Sequence, residues 1–335
     1  MRVLVTPPRQ IVPGKTVMVT CRAVGRSFRF VPNPKVVQTL LYCFAYELSQ
    51  HEIDVHEFVW MSNHFHVVLT PRSDALPDFM KGLNSLASRA LNSLRGWSGS
   101  NFEKRYNITV ASDPDKVLDH CAYTLANPCS AHLVTRAEHW KGLTSAKLEY
   151  GEVIRVERPR FGLWSTPKAV LERVHRRRSR RPRSARPRSH KRAAYRGRWK
   201  TPDEVNLQLT RPKVHVDLSD TELREEVRRR MVRLEAKAED ERRTHGRRVL
   251  GMRRVAKQHW NDIPREREDM FGPEPKASGS SKWARIEVLQ ANRRFVTAYR
   301  AAVEAFMAGD REVVFPRGTW LMRRRYAVAC ATSPP

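Results

Sequence analysis

Two histidines, His64 and His66, alternate with the apolar residues Phe65 and Val67. Alternate side chains of a β-strand point to the same face, so both imidazoles should project together from a strand whose other face is buried. Neighbouring imidazoles can hold one metal ion. Taken alone, the pattern fits two half-exposed histidines with ordinary hydrogen bonds more often than it fits a metal site.

Tyr123 and Asn127 are four residues apart in a segment with helical periodicity. This spacing places them on one helix face, one turn from each other. A tyrosine hydroxyl is a candidate nucleophile, and an amide oxygen is a candidate metal ligand. The alternative is that Tyr123 is a core tyrosine and that Asn127 merely ends a helix before Pro128.

The surrounding sequence predicts the elements that must position these four residues. Asn33 and Pro34 provide a helix start, and the short segment 61–63 predicts a hairpin turn. Pro128 is expected to end the last helix at Asn127. The predicted elements are strand 16–24, helix 33–50, strands 53–60 and 64–70, helix 76–94, strand 106–111 and helix 113–127.

This order predicts an α+β fold. Its first six elements match a split βαβ, ferredoxin-like arrangement. Such a fold has an antiparallel sheet with both crossover helices on one face, which leaves the other face available. Farther along, Ser219 and Glu222 form a capping-box signature before a charged helix that we expect to be exposed, and residues 282–308 predict a second helix.

The charge predicts a polyanionic partner. The 335 residues include 63 Lys and Arg against 35 Asp and Glu, a formal net charge of +28. Residues 176–200 carry thirteen of the basic residues and no acid, and removing those charges still leaves +15. Nucleic acid is the abundant cytosolic polyanion, although a merely soluble basic protein is the simpler alternative. The run is predicted to be a disordered linker or a nucleic-acid-binding arm. Its candidate DNA-binding residues are Arg176, Arg177, Arg178, Arg180 and Arg181.

Other classes of protein are disfavoured. The longest apolar stretch, 36–48, is interrupted by Gln38 and Glu47 and is too short to span a membrane. The N-terminus has no apolar signal region, so a cytoplasmic location is expected. Five widely spaced cysteines without a Cys-x-x-Cys pair should be ordinary buried thiols.

Three segments resemble the single-tyrosine HUH transposases, in particular the REP-associated tyrosine transposase branch. They are residues 61–69 (MSNHFHVVL), 102–106 (FEKRY) and 123–128 (YTLANP), and the likeness covers about residues 10–145. It implies that His64, His66 and Asn127 bind a divalent metal and that Tyr123 attacks single-stranded DNA. Arg105 becomes a candidate DNA contact. Ser62, Thr124 and Cys129 depart from the usual family residues without removing a reactive group.

The resemblance implies a site-specific single-strand DNA endonuclease and strand transferase that acts through a 5′-phosphotyrosine intermediate with Mg²⁺ or Mn²⁺. Zinc is the second choice of metal. The expected partner is single-stranded or hairpin DNA, bound by a monomer or a homodimer that associates with the nucleoid. The implied organisation is an HUH transposase catalytic domain in 1–150, a connecting segment and Arg-rich linker in 151–200, and a mostly helical basic extension in 201–335.

Several alternatives remain open at this stage. The chain could be a domesticated, noncatalytic DNA- or RNA-binding protein that retains the fold, or a basic structural nucleoprotein. Tyr106 is a second candidate nucleophile, but no amide follows it four residues later. His120 is a candidate proton acceptor, although a surface histidine is the favoured interpretation. Trp60 and Trp97 are candidates for base stacking, with a place in the core favoured for both.

Overall fold

The computed structural model describes residues 8–103, 105–160, 163, 201–264 and 276–332. The strands are β1 (Val17–Arg22), β2 (Ile53–Trp60), β3 (His64–Pro71), β4 (Asn107–Ala111), β5 (Val153–Glu157), β6 (Glu204–Gln208) and β7 (Ala277–Ser278). The α-helices are α1 (Pro34–Ser49), α2 (Leu76–Arg95), α3 (Pro114–Ser130), α4 (Asp220–Thr244), α5 (Met252–Val255), α6 (Lys282–Met307) and α7 (Leu321–Tyr326).

A five-stranded sheet of order β2-β3-β1-β4-β7 forms the centre of the fold. The pairs β2–β3, β3–β1 and β1–β4 are antiparallel, and only the short edge strand β7 runs parallel to its neighbour. The predicted α+β class and the order of elements through α3 are therefore confirmed. Strand β7 was not predicted, because a two-residue strand leaves no periodic signal.

Helices α1 and α2 lie on the face of the sheet that carries the main core. Asn33 starts α1 by accepting a hydrogen bond from the Lys35 backbone N–H, and α2 ends at Gly96 in the left-handed region. Aromatic rings join the layers: Phe44 of α1 contacts Trp60 of β2, which stacks on Phe65 of β3. Trp60 is thus a core residue, as favoured from the sequence.

Helix α3 packs on the opposite face, which corrects two expectations. That face is not left open, because Thr124 of α3 contacts Met18 of β1 and Asn127 contacts His66 of β3. The helix also continues past Pro128 to Ser130. A proline inside a helix removes only one backbone bond, and the turn beyond it closes through the Ala131 N–H, which donates to the Asn127 carbonyl.

Helix α4 packs along α3 and is not the exposed helix that its charge suggested. Leu223 and Val227 are fully buried, and Arg230 donates to Asp115 and Asp119 of α3. The prediction of an exposed helix was wrong because acidic residues of α3 pair with the charged face of α4 and allow it to pack. Sequence periodicity does not reveal partners on another element.

The capping box at Ser219 provides a test of local helix energetics. The Ser219 hydroxyl accepts from the Glu222 N–H, and the Glu222 carboxylate accepts from the Ser219 N–H. We expect Ser219→Ala to lower the free energy of unfolding by about 1 kcal/mol. Urea denaturation measures this change, with Asp217→Ala as the control just outside the helix. Equal effects of the two variants would contradict a capping role.

The hairpin of β5 and β6 was not predicted, because its strands are separated by the Arg-rich run. The strands pair in antiparallel register, and beyond them the Arg158 N–H donates to the Asp203 carbonyl. Residues 164–200 lie outside the described part of the chain, and with them the DNA-binding candidates Arg176, Arg177, Arg178, Arg180 and Arg181.

Two smaller expectations concern the cysteines and the membrane. All five cysteines are free thiols; four are buried as expected, whereas Cys330 is half-buried. Among the described residues, none of the helices combines the length and the apolar character needed to cross a bilayer.

His56 gives the fold a defined response to acid. It is buried between the Thr70 hydroxyl and the Thr210 carbonyl, and burial lowers its pKa from 6.5 to about 4. The unfolded chain therefore takes up this proton near pH 6.5, whereas the folded chain does so only near pH 4. Protonation thus favours unfolding as the pH falls through that window.

We expect the wild-type protein to lose about 2 kcal/mol more stability than His56→Gln when the pH falls from about 7 to about 4.5. The comparison of variant and wild type is essential, because Glu47, whose pKa is raised by burial to about 7, contributes with the opposite sign. Denaturation at a series of pH values measures the difference. Parallel stability curves for the two proteins would show that His56 is not responsible.

Candidate active site

Strand β3 and helix α3 bring the four predicted residues together. His64 and His66 project from the face of β3 that α3 covers, and their ring centroids are 5.0 Å apart. Asn127 lies over them, with its Nδ2 atom 3.4 Å from His66 Nε2. The Tyr123 ring, one helical turn earlier, meets the edge of the His66 ring at a centroid distance of 5.5 Å.

The hydrogen-bond partners favour the same tautomer for both imidazoles. His64 Nδ1 lies 2.8 Å from the Asn63 side-chain oxygen, which can only accept, so this nitrogen carries the proton. His66 Nδ1 lies 2.9 Å from the Thr20 hydroxyl, while its Nε2 faces the Asn127 amide. The simplest assignment places the proton on Nδ1 of both rings and a lone pair on each Nε2.

Burial keeps both rings neutral. It lowers the pKa of His64 to about 4, and a contact with Asn127 that favours the protonated form offsets this only in part. Burial also lowers the pKa of His66 well below its usual value, and the neighbouring His64 and Arg22 act in the same direction. At neutral pH both imidazoles are therefore uncharged, and each can donate a lone pair to a metal ion.

The donor set fits a divalent metal. Both imidazoles are neutral, and each is oriented by a hydrogen-bond partner on Nδ1, which leaves the Nε2 lone pair available. Metal-binding histidines usually have this arrangement. A half-turn of the Asn127 amide exchanges its nitrogen and oxygen and supplies a third ligand. The described residues contain no cluster of three or more His, Cys, Asp or Glu side chains suited to a metal. A site here therefore depends on Asn127.

Tyr123 differs from the residues around it in being accessible. Its side chain is 39% exposed, whereas His66 and Asn127 beneath it are buried. Its neighbours along α3, including Leu125 and Ala126, face the core. The hydroxyl is thus carried on a helix at the rim of the histidine pair, where it is open to solvent.

The structure adds residues that the sequence analysis missed. Thr20 and Arg22 of β1 pair in register with His66 and His64, and so lie beside them on the same face. The positive charges of Arg22 and Arg26 lower the pKa of His64. Alternation within β1 would have placed Thr20 and Arg22 together, but only the strand register shows which residues they face.

The remaining candidates lie elsewhere. Arg105 lines a separate cleft between β4 and α6. His120 is buried rather than on the surface: its Nε2 bonds the Ser278 hydroxyl at 2.6 Å, and burial lowers its pKa to about 4. Tyr106 is only 8% exposed beneath Arg9. Trp97 is half-buried and contacts Arg29 and Trp260 instead of joining the main core.

Comparisons with solved structures find similarity to two proteins. The structure is similar to that of a REP-associated tyrosine transposase bound to a REP hairpin, with a TM-score of 0.37 and 14% identity over 42% of this chain and 82% of that chain. It is also similar to a candidate transposase from Deinococcus radiodurans R1, with a TM-score of 0.25 and 18% identity over 35% of this chain and 90% of that chain. No family model and no curated protein matches the sequence.

Proposed function

We propose that this chain is a transposase that cuts and rejoins single-stranded DNA through a phosphotyrosine intermediate. The observation that carries the proposal is the grouping of the exposed Tyr123 with two neutral histidines and Asn127, on elements far apart in sequence. The ferredoxin-like assignment belongs to the same proposal and is supported by the strand order β2-β3-β1-β4. The REP hairpin in the similar transposase makes hairpin DNA the first substrate to test.

In the proposed step, Tyr123 Oη forms a bond to a backbone phosphorus and the bond from phosphorus to the 3′ oxygen breaks. The tyrosine proton passes to solvent, and the departing oxygen takes up a proton to become a 3′-OH. The DNA is left attached to the protein through its 5′ phosphate. Because the phosphodiester energy is retained, a second 3′-OH can reverse the reaction and join a new strand.

A tyrosine hydroxyl has an ordinary pKa of about 10 and needs help at neutral pH. His64, His66 and Asn127 would hold a divalent ion, which stabilises negative charge on the phosphate when bound. Thr20 and Asn63 orient the two imidazoles through their Nδ1 atoms. Arg22, beside His64, places a positive charge where the strand must pass. Imidazole ligands favour Mn²⁺ over Mg²⁺, with zinc as the second choice.

The test is a covalent adduct between protein and DNA. Purified protein is incubated with labelled single-stranded hairpins and Mn²⁺ or Mg²⁺, then run on a denaturing gel. We expect a band that retains the label, that disappears with a chelator, and that is lost in His66→Ala. His139→Ala, which changes an exposed histidine, is the matched control.

The competing function is noncatalytic nucleic-acid binding. It predicts tight, salt-sensitive binding of the same hairpins without an adduct under any metal condition. A basic structural nucleoprotein predicts equal binding of any duplex. Either result would contradict the proposed reaction. The net charge of +28 would still account for the affinity for nucleic acid.

A further inference from the structure

A concave site lies on the other side of the sheet from the histidines. It is a cleft of about 660 Å³ bordered by β1, β4, the segment before β1 and helix α6. We call it the α6 cleft. A volume of this size accommodates a nucleotide.

The side-chain alternation of β1 shows that the α6 cleft is distinct from the candidate active site. Thr20, which bonds His66, points to the α3 face. Val17 lies three positions earlier and therefore points to the opposite face, together with its register partner Val110. Val17 and Val110 both line the α6 cleft.

The charge of the α6 cleft is unbalanced. Its floor is apolar and includes Ile108 of β4 and Leu289 and Val296 of α6. Among the described residues that line it there is no Asp or Glu. The cations come from four separate stretches of the chain and are Arg9, Lys15, Arg105, Lys276, Arg293 and Arg300.

Arg9 is a cation that is held where water is limited. The Arg9 guanidinium lies over the Tyr106 ring, 3.8 Å from its centroid. Burial lowers the pKa of Arg9 below its usual value, and the neighbouring Arg105 acts in the same direction. Partly buried positive charge is costly, and an anionic ligand would relieve that cost.

We propose that the α6 cleft binds an unpaired nucleotide of a DNA strand, with the base against the apolar floor and the flanking phosphates on the cations. This inference deepens the proposed function and rests on it. A continuous strand is favoured over a free nucleotide because the cations are distributed along the cleft and suit successive phosphates. A strand that reaches both Tyr123 and this cleft must pass around the sheet.

The test neutralises two exposed cations of the cleft, Arg293→Gln and Arg300→Gln, in one protein. We expect the Kd for a labelled single strand to rise about tenfold at physiological salt, and the slope of log K against log salt to fall by about 1.4, which corresponds to two lost phosphate contacts. Fluorescence anisotropy measures both quantities. The matched control is Arg285→Gln with Arg294→Gln, an equal charge change at exposed positions of α6 outside the cleft.

Crosslinking locates the nucleotide. A strand that carries 5-iododeoxyuridine should crosslink to peptides containing Tyr106 or Leu289. Equal weakening by the cleft pair and the control pair, or crosslinks confined to other surfaces, would overturn the inference. So would competition by a mononucleotide that is as effective as competition by the strand, because the site would then be one for free nucleotides.

The experiment separates this inference from the proposed reaction. A short strand that contains only the cleavage site should form the adduct equally well with wild type and with the cleft variant. If the cleft variant forms the adduct normally and binds the strand as tightly as wild type, the α6 cleft does not bind DNA, and the proposed reaction stands. If the protein never forms an adduct but the cleft variant binds the strand more weakly than wild type, the α6 cleft binds DNA, and the proposed reaction is wrong.

Discussion

Tyr123→Phe should abolish the covalent adduct with DNA, a loss of at least about 10³-fold in the rate of adduct formation. The substitution removes only the oxygen that would bond to phosphorus and keeps the ring that lies on His66. Strand affinity should stay within about twofold of wild type. The free energy of unfolding should change by less than about 1 kcal/mol, because the side chain is 39% exposed. A denaturing gel with labelled hairpin measures the adduct, and anisotropy measures binding.

Tyr326→Phe is the matched control, since Tyr326 is also exposed and lies on the distant helix α7. It should form the adduct at the wild-type rate. An adduct that persists in Tyr123→Phe would assign the nucleophile elsewhere, and mass spectrometry of the labelled peptide would identify it. Tyr106 is a poor second choice, because only 8% of its surface is exposed.

The largest effect on stability is expected from the buried ion pair between Glu57 and Arg224. Both side chains are almost completely buried, and the Arg224 guanidinium donates to the Glu57 carboxylate. The same carboxylate accepts from the Ser145 and Tyr150 hydroxyls, and Arg224 also donates to the Ser145 carbonyl. Arg224→Ala leaves an uncompensated acid in the core and should cost about 3–5 kcal/mol.

Chemical denaturation measures this loss, with Arg228→Ala as the control. Arg228 pairs with Glu149 at the surface, so its removal should cost less than about 1 kcal/mol. The double variant Glu57→Gln with Arg224→Met should recover much of the stability, because it removes both charges together. Similar losses of stability for Arg224→Ala and Arg228→Ala would show that the buried pair of Glu57 and Arg224 contributes no more than the surface pair.

The elements before residue 130 were predictable because their signals are local. Runs of β-favouring residues on either side of a short turn predicted β2 and β3, and a single apolar stripe predicted α2. Caps at Asn33 and Asp113 predicted the starts of α1 and α3. Local signals did not show which face α3 would cover. They also did not reveal Arg224, because its buried partner Glu57 is 167 residues away in sequence.

The candidate site was predictable to a similar extent. The alternation of His64 and His66 and the spacing of Tyr123 and Asn127 define two pairs, and only the resemblance suggested that they meet. The position of Arg22 beside His64 follows from strand register, which neither spacing nor composition encodes. The α6 cleft has no sequence signature at all, because its cations come from stretches almost 300 residues apart.

The β5–β6 hairpin determines how the Arg-rich run is attached. Because the Arg158 N–H donates to the Asp203 carbonyl, the chain leaves the fold and rejoins it at one place. The described residues on either side of the run are thus held next to each other, whereas a terminal tail is attached at one end only. We therefore expect insertions between Arg160 and Thr201 to be tolerated, since each doubling of the length of a connecting segment costs only about 0.6 kcal/mol in closure entropy. Charge can therefore be added to or removed from the protein here without disturbing the sheet that carries the histidines.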